Sequence, residues 1–278
     1  MFKKIVLCSA LVALFATADA QSIKMPQPSP SQTVTQNFGL GTIELSYSRP
    51  GVKGRKVFGD LVPYGQVWRT GANQATTLTF SDEVTIGGKK IPAGKYGLLS
   101  IPDANSWTLI ITKQLDVTSP AAYKPENDVV RVQAKPQALP FPVETFTILF
   151  SNVKPAGTDL QLIWDNVAVS LPISTDIDSK VMTQIDNALN KDTRPYFQAA
   201  AYYLETGKDL NQALKWFDKA LEQQPNAFFI HYQKAQALAK LGRKDEARKT
   251  AEKSMELARQ QKNTDYVRLN EKLIATLK

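Results

Sequence analysis

Two scarcities limit what this chain can do. Among 278 residues there is one cysteine, Cys8, and one histidine, His231. Cys8 falls within the first twenty residues, and His231 falls in a stretch of helical period, away from the β-rich half. A Cys–His pair, a Ser–His–Asp triad and a two-histidine metal site are therefore out of reach. No metal and no cofactor is expected. A single cysteine makes no intrachain disulfide, so the fold must rest on its hydrophobic core. Long apolar runs are scarce too. The one run, Ile5 to Ala16, is well short of the roughly twenty residues that span a bilayer. Lys3 and Lys4 precede it, and Ala18-Asp19-Ala20 follows with small residues at both cleavage-specificity positions, so residues 1–20 read as a secretory leader. Removing 20 of the 278 residues leaves 258, room for two ordinary domains, with no further segment of membrane-spanning length.

Negative charge is in short supply in one place. The formal net charge is +8, with 34 Lys and Arg against 26 Asp and Glu. Between Arg49 and Thr76 five cations (Arg49, Lys53, Arg55, Lys56, Arg69) stand against one acid, Asp60. Residues 21–173 as a whole hold 14 basic and 11 acidic side chains, so this one stretch exceeds the positive excess of its half. Such a concentration points to an anionic ligand or surface, or to a solvated loop without one. In residues 174–278 the 18 basic and 14 acidic side chains alternate along helical segments, as on solvated faces.

Residues 21–30 (QSIKMPQPSP) form a polar, proline-rich tail. From Ser31 the apolar residues alternate. Strands are predicted over 32–38, 42–47, 75–80, 83–86, 89–91, 95–101, 107–112, 128–134, 143–153, 159–164 and 167–171, with Gly87-Gly88 as the clearest tight hairpin. Turn residues about every ten positions indicate an antiparallel β-sandwich, jelly-roll-like, over residues 31–173. Strand order is not readable from the pattern.

After Pro172 the period changes, and residues 174–278 read as helical. Ala201, Leu204 and Ala213 return 34 positions later as Ala235, Leu238 and Ala247. Gly207 and Gly242 mark turns, and Pro225 closes the first copy. This resembles the tetratricopeptide repeat, in which small residues let paired helices approach while Trp216, Phe217 and Tyr232 fill the space between. Helices over 178–189 and 264–277 flank the two copies. The repeats imply a groove for a protein or peptide partner.

The long loop 49–76 carries the most specific chemistry. Loops of this length in compact domains are usually functional or disordered, and Phe58, Tyr64 and Trp68 argue for order. Arg49, Lys53, Arg55 and Arg69 offer cationic donors to a carboxylate or phosphate, and Asn73 offers an amide. Trp68 is placed to stack on a sugar ring or aromatic ligand. In the alternative, the aromatics plug one end of the sandwich and the arginines pair with strand carboxylates. Other chemistries are poorly supported. Gly39-Leu40-Gly41 lacks the third glycine and helix of a dinucleotide site. Ser151 and Lys154 fit S-x-x-K, without the S-D-N and K-T-G partners. No spacing singles out a catalytic pair among Glu44, Asp60, Asp82, Glu83 and Asp165. Nucleic acid is a poor fit, because the cluster has no recognition helix or stacking platform.

The block RPGVKGRKVFGDLVPYGQVWRTGANQATTLTF, followed by GGKKIPAGKYGLLSIP, resembles a family of secreted bacterial proteins known as domain of unknown function 2911, over roughly residues 30–170. The resemblance implies an exported β-domain, periplasmic where there is an outer membrane and otherwise extracellular. It brings no activity, cofactor or catalytic residue. The reading is a non-catalytic binding protein, with Arg49, Lys53, Arg55, Trp68, Arg69 and Asn73 as candidate ligand residues for an anionic or carbohydrate group. A hydrolase using carboxylates near the loop, and a purely structural envelope component, are the alternatives.

Overall fold

The computed structural model describes residues 25–189 and 195–277, so the leader and Cys8 lie outside the described residues. The chain forms two compact units that part between Thr175 and Asp176.

Ten strands of the described residues build the first unit: β1 (Ser31–Phe38), β2 (Gly41–Ser48), β3 (Thr76–Phe80), β4 (Val84–Ile86), β5 (Lys89–Ile91), β6 (Gly94–Ile101), β7 (Trp107–Thr112), β8 (Asp128–Ala134), β9 (Gln137–Lys154) and β10 (Gly157–Ser174). One sheet runs β1-β2-β3-β6-β7-β8 and the other β5-β4-β10-β9, with antiparallel neighbours. The order is a meander that sends two hairpins, β4–β5 and β9–β10, to the second sheet. That winding is more sequential than the regular alternation between sheets of a jelly roll. Alternation explains the sandwich. Ile43, Leu45 and Tyr47 of β2 point inward, as do Leu160, Leu162 and Trp164 of β10, and all join one core.

The β9–β10 hairpin departs from the expected strand list. Each arm has 18 residues, against a usual strand length of about five or six. The segments predicted at 159–164 and 167–171 are one strand. Asp165-Asn166 resembles a turn, but Asp165 takes φ 52° within a bulge, with register shifts on both sides. β9 likewise starts at Gln137, six residues before the expected Val143. Pro140 and Pro142, which cannot donate to a ladder, lie in this added stretch. They are tolerated because β9 is an edge strand.

A smaller apolar cluster lies on the other face of β6 and β7, where Leu99 and Ile110 meet Val117, with Val67, Ile101 and Tyr123 against them. Residues 113–127, which carried no strand signal, cover this face. They are fastened by Tyr123, whose hydroxyl donates to Asp128 Oδ2 and receives a bond from Arg131. Burial, then the bond to Asp128, pushes the Tyr123 hydroxyl up to about 12, so the phenol stays neutral.

The second unit holds α1 (Asp178–Leu189), α2 (Tyr196–Thr206), α3 (Leu210–Gln223), α4 (Phe228–Lys240), α5 (Lys244–Gln260) and α6 (Thr264–Thr276). Gly207 ends α2 in the left-handed region (φ 69°), and Asp209 caps α3 through the amides of Asn211 and Gln212. Ala213 and Ala247, 34 residues apart, are both fully buried. Phe217 lies in the helical core with Trp216 packed against it, while Tyr232 meets Tyr266 of α6 edge to face. The cap of α6 is Asn263, whose side chain accepts from the Tyr266 amide.

Candidate functional site

The loop between β2 and β3 is tied down at both ends and in the middle. Near its start, Val52 N donates to Glu144 O (2.8 Å) and Phe146 N to Pro50 O (2.9 Å), a short pairing with β9. Further along, Trp68 and Ser100 exchange both backbone bonds, at 2.7 and 3.0 Å. β3 pairs with β6 only as far as Leu98, so Trp68 takes the place that β3 leaves free on β6. At its end Thr70 sits at φ 56°, a strained conformation for a β-branched residue. A buried polar knot holds it there: its hydroxyl is 2.9 Å from Ser100 Oγ, and its carbonyl accepts from Thr76 Oγ1 at 2.6 Å. Gly71 follows at φ 156°, where a Cβ would crowd Ser48 O at 3.0 Å, so glycine is favoured.

Two of the loop aromatics go inside. Phe58 lies 4.9 Å from Trp107, and Trp68 stacks on Trp164 (5.7 Å, 18°) and packs on Phe146 (5.1 Å). The Trp68 indole is 9 % exposed and its Nε1 donates to Gly71 O. Only a small part of the ring is left open, as wall of a recess, too little for a sugar ring to stack on. This corrects its expected role as a ligand platform: the gain from burying an aromatic among aromatics takes it into the core. Tyr64 stays exposed.

The cations do not pair with strand carboxylates, as the alternative had it. Among the described residues the ion pairs include none of Arg49, Lys53, Arg55, Lys56 or Arg69. Arg49 binds Phe146 O (3.2 Å) and Thr147 Oγ1 (3.0 Å), clamping the loop's root to β9. Lys53 has its backbone amide on Glu144 Oε1, and its side chain is exposed. Asn73 reaches Ser29 O at 3.0 Å and so holds the N-terminal arm. These three act as clamps or lie outside any recess. Arg55 donates to Val52 O (3.0 Å) and Gly51 O (2.7 Å), while Arg69 Nη1 donates to Thr118 O (2.7 Å).

Arg55 and Arg69 come together. Both line a recess of about 250 Å³, with Leu61, Val62, Trp68 and Trp164 among its walls. None of Glu44, Asp60, Asp82, Glu83 and Asp165 lines it. Arg69 Nε is buried without an acceptor. A buried N–H in that state costs about 1–3 kcal/mol, so its retention calls for an explanation. A smaller recess of about 150 Å³, also lined by Arg69, is walled by Thr118, Ser119 and Pro120. Those residues were missed in the sequence. The signal was a 15-residue gap with prolines between two strands, longer than a hairpin needs.

Larger recesses exist elsewhere. One of about 510 Å³ lies by the β4–β5 turn and the β9–β10 hairpin. Its carboxylate, Asp159, is already held by Asn152 at 2.7 Å, and it gathers no pair of like charges, so size alone does not recommend it. In the helical unit, α2 and α4 frame a groove of about 410 Å³ with Glu205, Gln233, Gln236 and Lys240 on its walls. Gln233 Oε1 is buried there without a donor. His231 is bonded to Pro225 O at 3.0 Å, and burial keeps its ring below the ordinary histidine range. Among the described residues no three His, Cys, Asp or Glu side chains gather, and no helix is long and apolar enough to cross a membrane.

Comparison with known proteins supports both halves at the level of family. A tetratricopeptide repeat model matches residues 216–249, a module type that mediates protein contacts. No curated protein and no solved structure matches the chain. A model described as "Protein of unknown function (DUF2911)" matches residues 29–173, which takes in the sandwich, the loop and both recesses beside Arg69. More than half of the sequence is covered, and the chain belongs to that family.

Proposed function

We propose that this is an exported binding protein, whose β unit takes a small anionic group beside the 49–76 loop and whose helical unit engages a protein partner. One observation carries the reading. Arg55 and Arg69 share a recess, neither is neutralised by a carboxylate, and their guanidinium planes are held by backbone carbonyls. Donors fixed in advance lose little freedom on binding. The tetratricopeptide repeat and the α2–α4 groove support a protein partner. The basic n-region, apolar run and small residues at 18 and 20 support export.

The test uses the chain recovered from the cell envelope, with its first residue expected at Gln21. Calorimetric titration with inorganic phosphate, galacturonate and benzoate should show saturable binding of at least one anion. An Arg55→Gln/Arg69→Gln double variant should bind it at least tenfold more weakly. Equal binding by the double variant, or no binding of any anion, would overturn the ligand half of the proposal.

A further inference from the structure

We infer that the recess between Arg55 and Arg69 accepts a carboxylate carried on a small apolar body, an inference that rests on the anion-binding reading above. The hydrogen bonds already made by the loop determine which donors remain. Arg69 has Nη1 committed to Thr118 O, and its Nε is buried without an acceptor, so its unoccupied edge is the Nε–Nη2 fork. That edge carries two parallel N–H groups in one plane, matched to the two oxygens of a carboxylate, with Nε covered by neighbouring protein atoms in this structure. Arg55 has Nε on Val52 O and Nη2 on Gly51 O, which leaves Nη1 as a third donor and holds its plane.

The remaining walls decide between anions. Pro50, Leu61, Val62, Trp68 and Trp164 are apolar or show an aromatic surface, and Ser29 supplies the one other side-chain hydroxyl. A phosphate would leave oxygens facing hydrocarbon, and a uronic acid would do the same with its ring hydroxyls. A carboxylate uses the guanidinium edge and gives its apolar remainder to the walls. The volume of about 250 Å³ falls below the roughly 300–1,000 Å³ of sites for drug-sized ligands. A benzoate or a short branched fatty acid is of the right scale.

The full mature chain would be titrated with benzoate, 4-methylpentanoate, the neutral isostere benzamide, inorganic phosphate and galacturonate, read by calorimetry and by tryptophan fluorescence. Both apolar carboxylates should saturate, with benzamide, phosphate and galacturonate at least tenfold weaker. Arg69→Gln should weaken benzoate at least tenfold. Arg69→Lys should fall nearly as far, since it keeps the charge and loses the fork. Ala72 also lines the recess, so Ala72→Leu should abolish binding with both arginines in place and circular dichroism unchanged. If Arg69→Gln unfolds, Ala72→Leu alone decides the site. Benzoate binding unaffected by Ala72→Leu would overturn the assignment. Phosphate or galacturonate binding that depends on both arginines, without carboxylate binding, would overturn this inference and leave the anion-binding reading standing. No binding of any anion would overturn both.

Discussion

The two units handle positive charge in opposite ways. In the helical unit, cations meet acids on the surface: Lys208 with Asp178, Lys234 with Asp218, Arg243 with Glu246, and Arg268 with Asp265. In the 49–76 loop, arginines bond to carbonyls and a threonine hydroxyl, and the charge is left uncancelled. A helix satisfies its own backbone, so its side chains are free to pair with one another. A long irregular loop has carbonyls without partners, and arginine forks supply the missing donors. A cation used this way keeps its field. The loop's need for donors thus produces a positive surface as a consequence of its architecture.

This contrast can be broken from either side. The largest effect should come from Trp68→Ala, which removes the side chain linking loop and core. A loss of about 3–5 kcal/mol is expected for an aromatic truncated inside a packed cluster. Denaturant unfolding followed by near-ultraviolet circular dichroism should show an early transition, with the helical signal at 222 nm persisting to higher denaturant on the order of wild type. A single coincident shift of both signals would argue that the units unfold together. Next is Arg49→Gln, which loses charged hydrogen bonds to Phe146 O and Thr147 Oγ1 and should cost about 1.5–3 kcal/mol in the same experiment. Smallest is Arg243→Gln, which breaks an exposed i,i+3 pair with Glu246 and should leave the unfolding midpoint of the helical signal unchanged within error. If Arg49→Gln and Arg243→Gln cost the same, the distinction between clamping and surface cations fails.

What the sequence made legible follows the same divide. The helical unit could be read almost element by element, because alanine spacing at Ala213 and Ala247 encodes close packing locally. Strands β1 to β8 were legible from alternation. β9 and β10 were legible only in part, because Asp165-Asn166 and Pro140/Pro142 carry turn chemistry that tertiary pairing overrode. In the loop, charge composition singled out the stretch and could not separate Arg49 from Arg69. Both are arginines of the same loop, and only the position of Thr147 or Thr118, distant in sequence, assigns their roles. Trp68 failed for a related reason. An aromatic in a loop suggests a platform until Trp107, Phe146 and Trp164, from three different strands, close around it.

The two prolines of β9 have a bearing beyond the shape of the hairpin. An 18-residue edge strand would ordinarily invite another chain to add to the sheet. Pro140 and Pro142 offer no N–H on either side of the exposed Phe141, and around Thr145 the open edge is already bonded to Pro50 and Val52. Residues 137–146 therefore present an interrupted template. At high protein concentration the chain is thereby guarded against polymerising through this edge.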